Sequence, residues 1–256
     1  MEGKIALITG AVGGIGAAVA RALGGRGARV AAVDRDADGL LRTVQKLTAD
    51  GVGAEGFPAD ITDRAEVGNL VDSVEQRLGP VDFLVNAAGV LHVAEARHMT
   101  DQDWDATLAV NATGVFVMSR AVVNRMVPRG RGAIVTVASN AAGTARTQMA
   151  AYAASKAAAS MFTKCLGLEV ARHGIRCNVV APGSTDTPML SSMWDDASGR
   201  RTTIAGRPDE YRVGIPLGKL AVPSDIADAV AFLLSDQAGH ITLHSLTVDG
   251  GATLGT

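Results

Sequence analysis

Aromatic residues are scarce in this chain, cysteines number two, and neither charge is in surplus. Each shortage excludes something. With Phe, Trp and Tyr at 4% and hydrophobic residues at 47%, the apolar content is mostly Ala and Val, which suits helices packed closely on a buried sheet. A formal net charge of -2 supplies no basic field to hold a polyanion, so no nucleic-acid partner is expected. Nor is a membrane: no apolar run is read as reaching the roughly 18 residues a span needs. The start, MEGKIALITG, leads into a strand pattern rather than a secretory signal, so a cytoplasmic location is expected. Cys165 lies in a helical pattern and Cys177 in a strand pattern, which reads as buried, reduced thiols rather than a disulfide frame. Of the histidines only His240 and His244 stand four apart, but ITLHSLTV reads as extended chain, where that spacing separates the side chains by roughly 13 Å. No metal site is expected.

What is present is a repeating pattern. Short apolar runs rich in β-branched residues recur at Lys4 to Thr9, Arg29 to Asp34, Ala54 to Asp60, Asp82 to Asn86, Ala133 to Ala138, Arg176 to Ala181 and Leu246 to Asp249, with helical patterns between them. Strand, helix, strand in that order implies right-handed crossovers and a parallel sheet covered on both faces. The fold class is therefore α/β, a single Rossmann-type domain over residues 1-256 with a seven-stranded parallel sheet. Asp63, with Glu66 three residues on, and Pro223-Ser224-Asp225 mark two helix starts. The exception is Asp186 to Gly214, where Pro, Gly, Asp and Arg cluster with weak periodicity around Met189, Met193 and Trp194. Such an insertion reads as a substrate lid or as an ordinary surface excursion.

The first strand runs into TGAVGGIG, Thr9 to Gly16. Glycines 10, 14 and 16 allow a tight turn and let backbone N–H groups at a helix start approach a pyrophosphate. A glycine-rich turn alone says little. Asp34, closing the second strand eighteen residues after Gly16, adds a carboxylate that accepts hydrogen bonds from an adenosine ribose and repels a 2′-phosphate, which favours NAD over NADP despite the adjacent Arg35. Asp60 and the segment Asn86-Ala87-Ala88-Gly89 close the third and fourth strands at the same edge.

Tyr152 and Lys156 stand four apart in AAYAASKAAASMF, so their side chains share a helix face. An ammonium beside a phenol favours phenolate, giving a general base for alcohol oxidation. Ser139, ending AIVTVAS, places a hydroxyl at the same edge, and Asn111 puts an amide inside an apolar helical run, where burial demands a hydrogen-bonded role.

With these residues assembled, the whole chain resembles the short-chain dehydrogenase/reductase family. TGAVGGIG is similar to its TGxxxGxG, NAAG to its NNAG, and Ser139, Tyr152 and Lys156 to its catalytic triad, with Asn111 as fourth member. PGSTDT, which follows Asn178, matches its PG motif. The resemblance implies that Gly10, Gly14, Ile15, Gly16, Asp34, Asp60, Ile61, Asn86, Gly89, Tyr152, Lys156, Pro182, Thr185 and Thr187 surround the cofactor NAD. In such a site Lys156 also holds the nicotinamide ribose, Thr187 meets the nicotinamide amide, and Asn111 positions a water in a proton relay. It further implies a homotetramer, or a dimer, joined through long helices.

A narrower resemblance runs through GAIVTVASNAAGTARTQMAAYAASKAA, CNVVAPGSTDTPM, MLSSMW and the C-terminal segment from Gly214 to Gly255. These segments look like the 2,3-dihydro-2,3-dihydroxybenzoate dehydrogenases, which oxidise a ring alcohol of a cyclohexadiene carboxylate so that the ring aromatises. Arg146, six residues before Tyr152, suits such a substrate because a guanidinium pairs bidentately with a carboxylate; the alternative is a solvated surface arginine. Met149, Ser184 and Met189 join the expected substrate wall. His92 departs from the resemblance, standing in GVLH where those enzymes read arginine, and it is either a substrate contact or a packing residue. The 2-amino analogue, 2,3-dihydro-3-hydroxyanthranilate, therefore stays open as a substrate. So do a 3-oxoacyl reductase or sugar alcohol dehydrogenase on the same scaffold, and a nonenzymatic NAD-binding regulator.

Overall fold

Alanine and β-branched side chains, buried on both faces, build the central strands, and the computed structural model describes residues 1–194 and 196–255. In chain order the first half comprises β1 (Ile5–Thr9), α1 (Gly14–Gly24), β2 (Arg29–Asp34), α2 (Ala37–Ala49), β3 (Ala54–Pro58), α3 (Arg64–Arg77), β4 (Val81–Asn86) and α4 (Asp101–Leu108). A π-helical turn, Ala109–Gly114, leads into α5 (Val115–Arg129), β5 (Gly132–Val137), α6 (Ala150–Val170) and β6 (Ile175–Pro182). Then follow α7 (Pro188–Ser191), α8 (Gly199–Ala205), β7 (Gly206–Arg207), β8 (Arg212–Val213), α9 (Pro223–Leu234) and β9 (Ser245–Val248).

Seven strands pair in parallel in the order β3-β2-β1-β4-β5-β6-β9, as the alternating pattern predicts. The order reverses between β1 and β4, so the connections leaving these strands part in opposite directions and open a crevice at their carboxyl ends. Two cores flank the sheet. One packs α1 and α9 over Ile8, Val30 and Val135, and the other packs α3, α5 and α6 over Leu7, Leu84 and Ile134.

Several local readings are corrected. The third strand stops at Pro58 instead of Asp60; proline has no ladder N–H, and the Asp60 carboxylate instead turns back onto the Thr62 N–H and hydroxyl. Asp63 caps α3 as expected, but Glu66 reaches the Asp60 N–H rather than completing a box with Asp63. Cys177 is buried as expected, whereas Cys165 is exposed, against the expectation. The stretch Asp101–Arg129 is, by length and composition, apolar enough to cross a membrane, against the expectation that no run would be. Within it, 50% of the most apolar 18-residue window is buried, with Met118, Val122 and Met126 in the core beneath the sheet.

Of the segment 186–214 all but residue 195 are described, and it is more regular than its periodicity suggests. It folds as α7, α8 and an antiparallel β7-β8 pair around a small core of Leu190, Ile215 and Leu220, against which Met193, Trp194 and Ile204 pack. Its two ends are tied side by side, the Ala221 N–H donating to the Ser184 carbonyl and the Asp186 N–H to the Ala221 carbonyl.

Candidate active site

The turn between β1 and α1 is shaped by two close approaches. Gly10 has a φ of +68°, and a Cβ there would lie 2.6 Å from Ala88 Cα on the loop after β4. At Gly16 a Cβ would lie 2.1 Å from the Gly10 carbonyl oxygen. Glycine thus lets the turn fold flat against the start of α1, leaving a cavity above it. Gly10, Gly14, Ile15, Gly16, Asp34, Asp60, Ile61, Gly89 and Thr187 all line this cavity, as does Arg35. Asp34 Oδ2 accepts from the Val12 N–H at 3.1 Å, which couples the end of β2 to the glycine turn. The cavity is bordered by the backbone of the glycine turn and by two carboxylates, Asp34 and Asp60, which fits a dinucleotide.

Asn86 is the exception among the expected cofactor residues. Its side chain is buried and turns away from the cavity, Nδ2 donating to Ser119 Oγ at 2.9 Å and to Thr136 Oγ1 at 3.3 Å. Its place at the last rung of β4 turns it toward α5, so its part is to tie β4 to α5 and β5.

A second cavity, of about 800 Å³ including its mouth, adjoins the first. Ser139, Tyr152, Lys156, Arg146, Met149, Pro182, Ser184, Thr185 and Met189 line it, and Ile15, Gly89 and Thr187 border both spaces. Tyr152 and Lys156 come from one face of α6, and Ser139 from the end of β5. Tyr152 and Ser139 hydroxyls are hydrogen-bonded. Lys156 Nζ donates to the Val137 carbonyl at 2.9 Å and stands 5.8 Å from the centre of the Tyr152 ring.

The electrostatic expectation for this pair is reversed. Burial holds the Tyr152 phenol above its ordinary value, with the Ser139 hydrogen bond opposing it, and burial brings the Lys156 ammonium down to about 8. Both groups lose water before either gains a counter-charge, so desolvation outweighs the attraction that the sequence suggests.

Asn111 sits in the π-helical turn rather than in regular helix. The widened turn places its amide against the backbone beyond Gly89: Oδ1 accepts from the Val90 N–H at 2.9 Å, and Nδ2 donates to the Val90 carbonyl at 2.9 Å and to Ser155 Oγ at 3.0 Å. A Cβ on Gly89 would meet both Lys156 Nζ, at 3.2 Å, and Asn111 Oδ1, at 3.3 Å, so Gly89 is the gap through which these two side chains approach.

His92 lies outside the cavity wall, which corrects its expected place over the substrate. Nδ1 is 2.9 Å from Thr107 Oγ1 and Nε2 is 3.9 Å from Asp103, so the ring is held against α4. Leu91 lines the cavity in its stead. Two polar residues escaped the sequence reading. Asn140, beside Ser139, donates to Asp249 at 3.2 Å, and Arg212, carried by β8, donates to Ser184 Oγ at 3.1 Å. Asn140 could have been found by its place next to Ser139; Arg212 had no signal, lying 60 residues beyond Tyr152 in a segment without periodicity. Among the described residues no group of three His, Cys, Asp or Glu side chains gathers for a metal.

A parallel sheet with a dinucleotide crevice at its switch point, and a buried Tyr–Lys–Ser group beside that crevice, define a nicotinamide-dependent oxidoreductase acting on a small molecule. Residues 4–198 match the family model described as short chain dehydrogenase, and the chain belongs to that family. It is 57% identical over 255 residues to the 2,3-dihydro-2,3-dihydroxybenzoate dehydrogenase of Bacillus subtilis, covering 100% of this chain and 98% of that protein. The vibriobactin-specific 2,3-dihydro-2,3-dihydroxybenzoate dehydrogenase of Vibrio cholerae serotype O1 is 44% identical, covering 97% of this chain and 95% of that protein. Among solved structures, a gluconate 5-dehydrogenase from Burkholderia cenocepacia in complex with NADP and tartrate superposes with a TM-score of 0.91 at 33% identity, covering 99% of this chain and 96% of the other.

Proposed function

We propose that this chain oxidises a ring hydroxyl of a cyclohexadiene carboxylate with NAD, converting 2,3-dihydro-2,3-dihydroxybenzoate to 2,3-dihydroxybenzoate. The observation that carries the reading is one cavity that holds Ser139, Tyr152 and Lys156 together with a partly desolvated guanidinium, Arg146, in a chain so similar to enzymes of that name.

The residues divide the work as follows. Ser139 holds the substrate oxygen, and the Tyr152 oxygen takes the hydroxyl proton as the C–H bond at the same carbon breaks. Bound NAD supplies the acceptor for that hydride. Lys156, beside Tyr152 and Gly89, holds the nicotinamide ribose and eases loss of the Tyr152 proton, while Asn111 anchors the chain next to it and positions a water for proton release. The ring ketone then tautomerises to the catechol, and aromatisation pulls the reaction forward. Arg146 grips the ring carboxylate, with Met149 and Met189 as apolar walls and Ser184 at the base.

The preference for NAD is supported by Asp34, which lines the first cavity, since a carboxylate beside an adenosine ribose repels a 2′-phosphate. Segment 186–214 acts as the lid, supported by its own small core and its pinned ends. Assembly as a homotetramer is supported by an exposed stripe, Met161, Cys165 and Leu168, along one face of α6. With His92 held against α4, its identity does not discriminate a hydroxyl from an amino group on the ring. The test is to mix the enzyme with NAD and each cyclohexadiene carboxylate, following absorbance of the reduced nicotinamide and fluorescence of the aromatic product. Turnover of the 2-hydroxy compound is expected; turnover of the 2-amino compound alone, or of neither, overturns the assignment.

A further inference from the structure

Arg212 reaches the cavity from the lid side. It sits on β8 and lines the same space as Arg146, whose loop leads into α6. Behind the pair lies a smaller cavity, and the two spaces meet across Arg146, Met149, Met193 and Arg212. Among the described residues neither guanidinium is in an ion pair.

The neighbouring acids are already engaged. Asp249 faces Arg146, but its oxygens accept from Asn140, Thr253 and Gly251. Glu210 faces Arg212, but it is paired with Arg207 at 2.5 Å. Burial disfavours the charge of both arginines, and the Arg146 charge bears directly on Arg212. Two like charges in a partly dry wall are unfavourable together until an anion arrives between them. Each guanidinium presents a planar fork that matches a carboxylate.

We infer that Arg146 and Arg212 form a split carboxylate clamp, one half on the fixed wall and one half on the lid, so that the substrate's carboxylate holds the lid closed over Tyr152. This deepens the carboxylate reading given above and rests on it. The lid is built to carry Arg212 as a unit, because its ends are pinned together at Ser184, Asp186 and Ala221 and its interior packs around Leu190, Ile215 and Leu220. A neutral ring diol would enter the cavity but leave the lid unclamped, so discrimination between acid and neutral substrates comes from closure as well as from contact.

Trp194 reports the lid, since it packs on that small core and its indole N–H donates to Thr203 at 3.2 Å. With Trp104→Phe it is the sole tryptophan of the chain, and the full-length protein is titrated in the presence of NAD with benzoate or with catechol. Benzoate is expected to change Trp194 emission and catechol to leave it unchanged. Arg212→Gln is expected to weaken benzoate binding by about tenfold or more and to abolish the emission change, with Arg212→Lys falling between. Arg201→Gln removes the same charge from an exposed lid position outside both cavities and should stay within about twofold of the parent, as expected for a solvated surface charge. Circular dichroism of Arg212→Gln and Arg212→Lys separates misfolding from loss of the clamp. Unchanged benzoate affinity in folded Arg212→Gln, or an equal emission response to catechol, overturns the clamp. If the binding results hold but no cyclohexadiene carboxylate is oxidised, the clamp stands and the assigned reaction falls; if oxidation proceeds with a KM indifferent to Arg212→Gln, the reverse is true.

Discussion

Tyr152 and Lys156 show how burial sets the working state of a site. Tyr152→Phe removes the only oxygen on that ring that can accept the substrate proton, so kcat should fall by about a thousandfold while NAD binding by tryptophan quenching stays nearly unchanged. Substantial residual turnover would mean that another group is the base. Lys156 makes a prediction about stability. Its ammonium, at about 8 in the folded protein against 10.5 for the free side chain, is charged in both states below pH 8, where folding bears the full cost of burying it. Between pH 8 and 10.5 the folded lysine has shed a proton that the unfolded chain still binds, so stability rises with pH, by up to about 3 kcal/mol over the whole window. Urea midpoints of the cofactor-free protein should therefore climb from pH 7.5 to 9.5, and Lys156→Met should flatten that climb. At this scale the grouping of Ser139, Tyr152 and Lys156 at one sheet edge was legible from spacing, but their proton affinities were not. The attraction between ammonium and phenol is visible in four residues of sequence, whereas the desolvation that outweighs it comes from β5, the loop after β4 and the PG segment closing around them.

At the scale of elements, the glycine turn and the strand ends line the cavity proposed for the cofactor. A methyl at Gly16 has the Gly10 carbonyl 2.1 Å away, a backbone atom that cannot swing aside. Gly16→Ala should raise KM for NAD about tenfold or more and lower the melting temperature, both measurable on the purified protein. Asp34→Ala, at the end of β2, should narrow the preference for NAD over NADP, read as the ratio of kcat/KM for the two nucleotides; an unchanged ratio would remove Asp34 from specificity. The glycine spacing and the strand-terminal aspartate were legible because a tight turn and a strand end each leave a local chemical signature. The π-helical turn at Ala109–Gly114 was not. Its extra residue is accompanied by Asn111 bonding to Val90 on the loop after β4 and to Ser155 on α6, so no pattern within LAVNATGVF announces it. His92 failed for a related reason: its direction is set by Thr107 and Asp103 on α4, which the local sequence GVLH does not contain.

For the whole molecule the open surfaces of α6 matter most. Leu168 is 72% exposed and Met161 60%, one turn on either side of Cys165, a stripe that association through α6 would bury. Light scattering should find a homo-oligomer for the wild type, and Leu168→Asp should shift it toward monomer. Cys165 should then react with a thiol reagent far faster than in the wild type, while Cys177, whose thiol burial raises to about 12, stays silent until denaturation. A monomeric wild type would refute the stripe as an interface. By itself the sequence determined the parallel sheet and its seven strands, the glycine turn, and the presence of a serine, tyrosine and lysine at one sheet edge. All of these follow from periodicity, strand-end chemistry and the handedness of crossovers, which act over a few residues at a time. Only the tertiary structure decided that Arg212 faces Arg146, that Asn86 and His92 turn away from the site, that Cys165 is bare, and that burial holds the Tyr152 phenol above its ordinary value. Those outcomes depend on which distant elements pack together and how much water they exclude, and neither quantity is encoded in spacing along the chain.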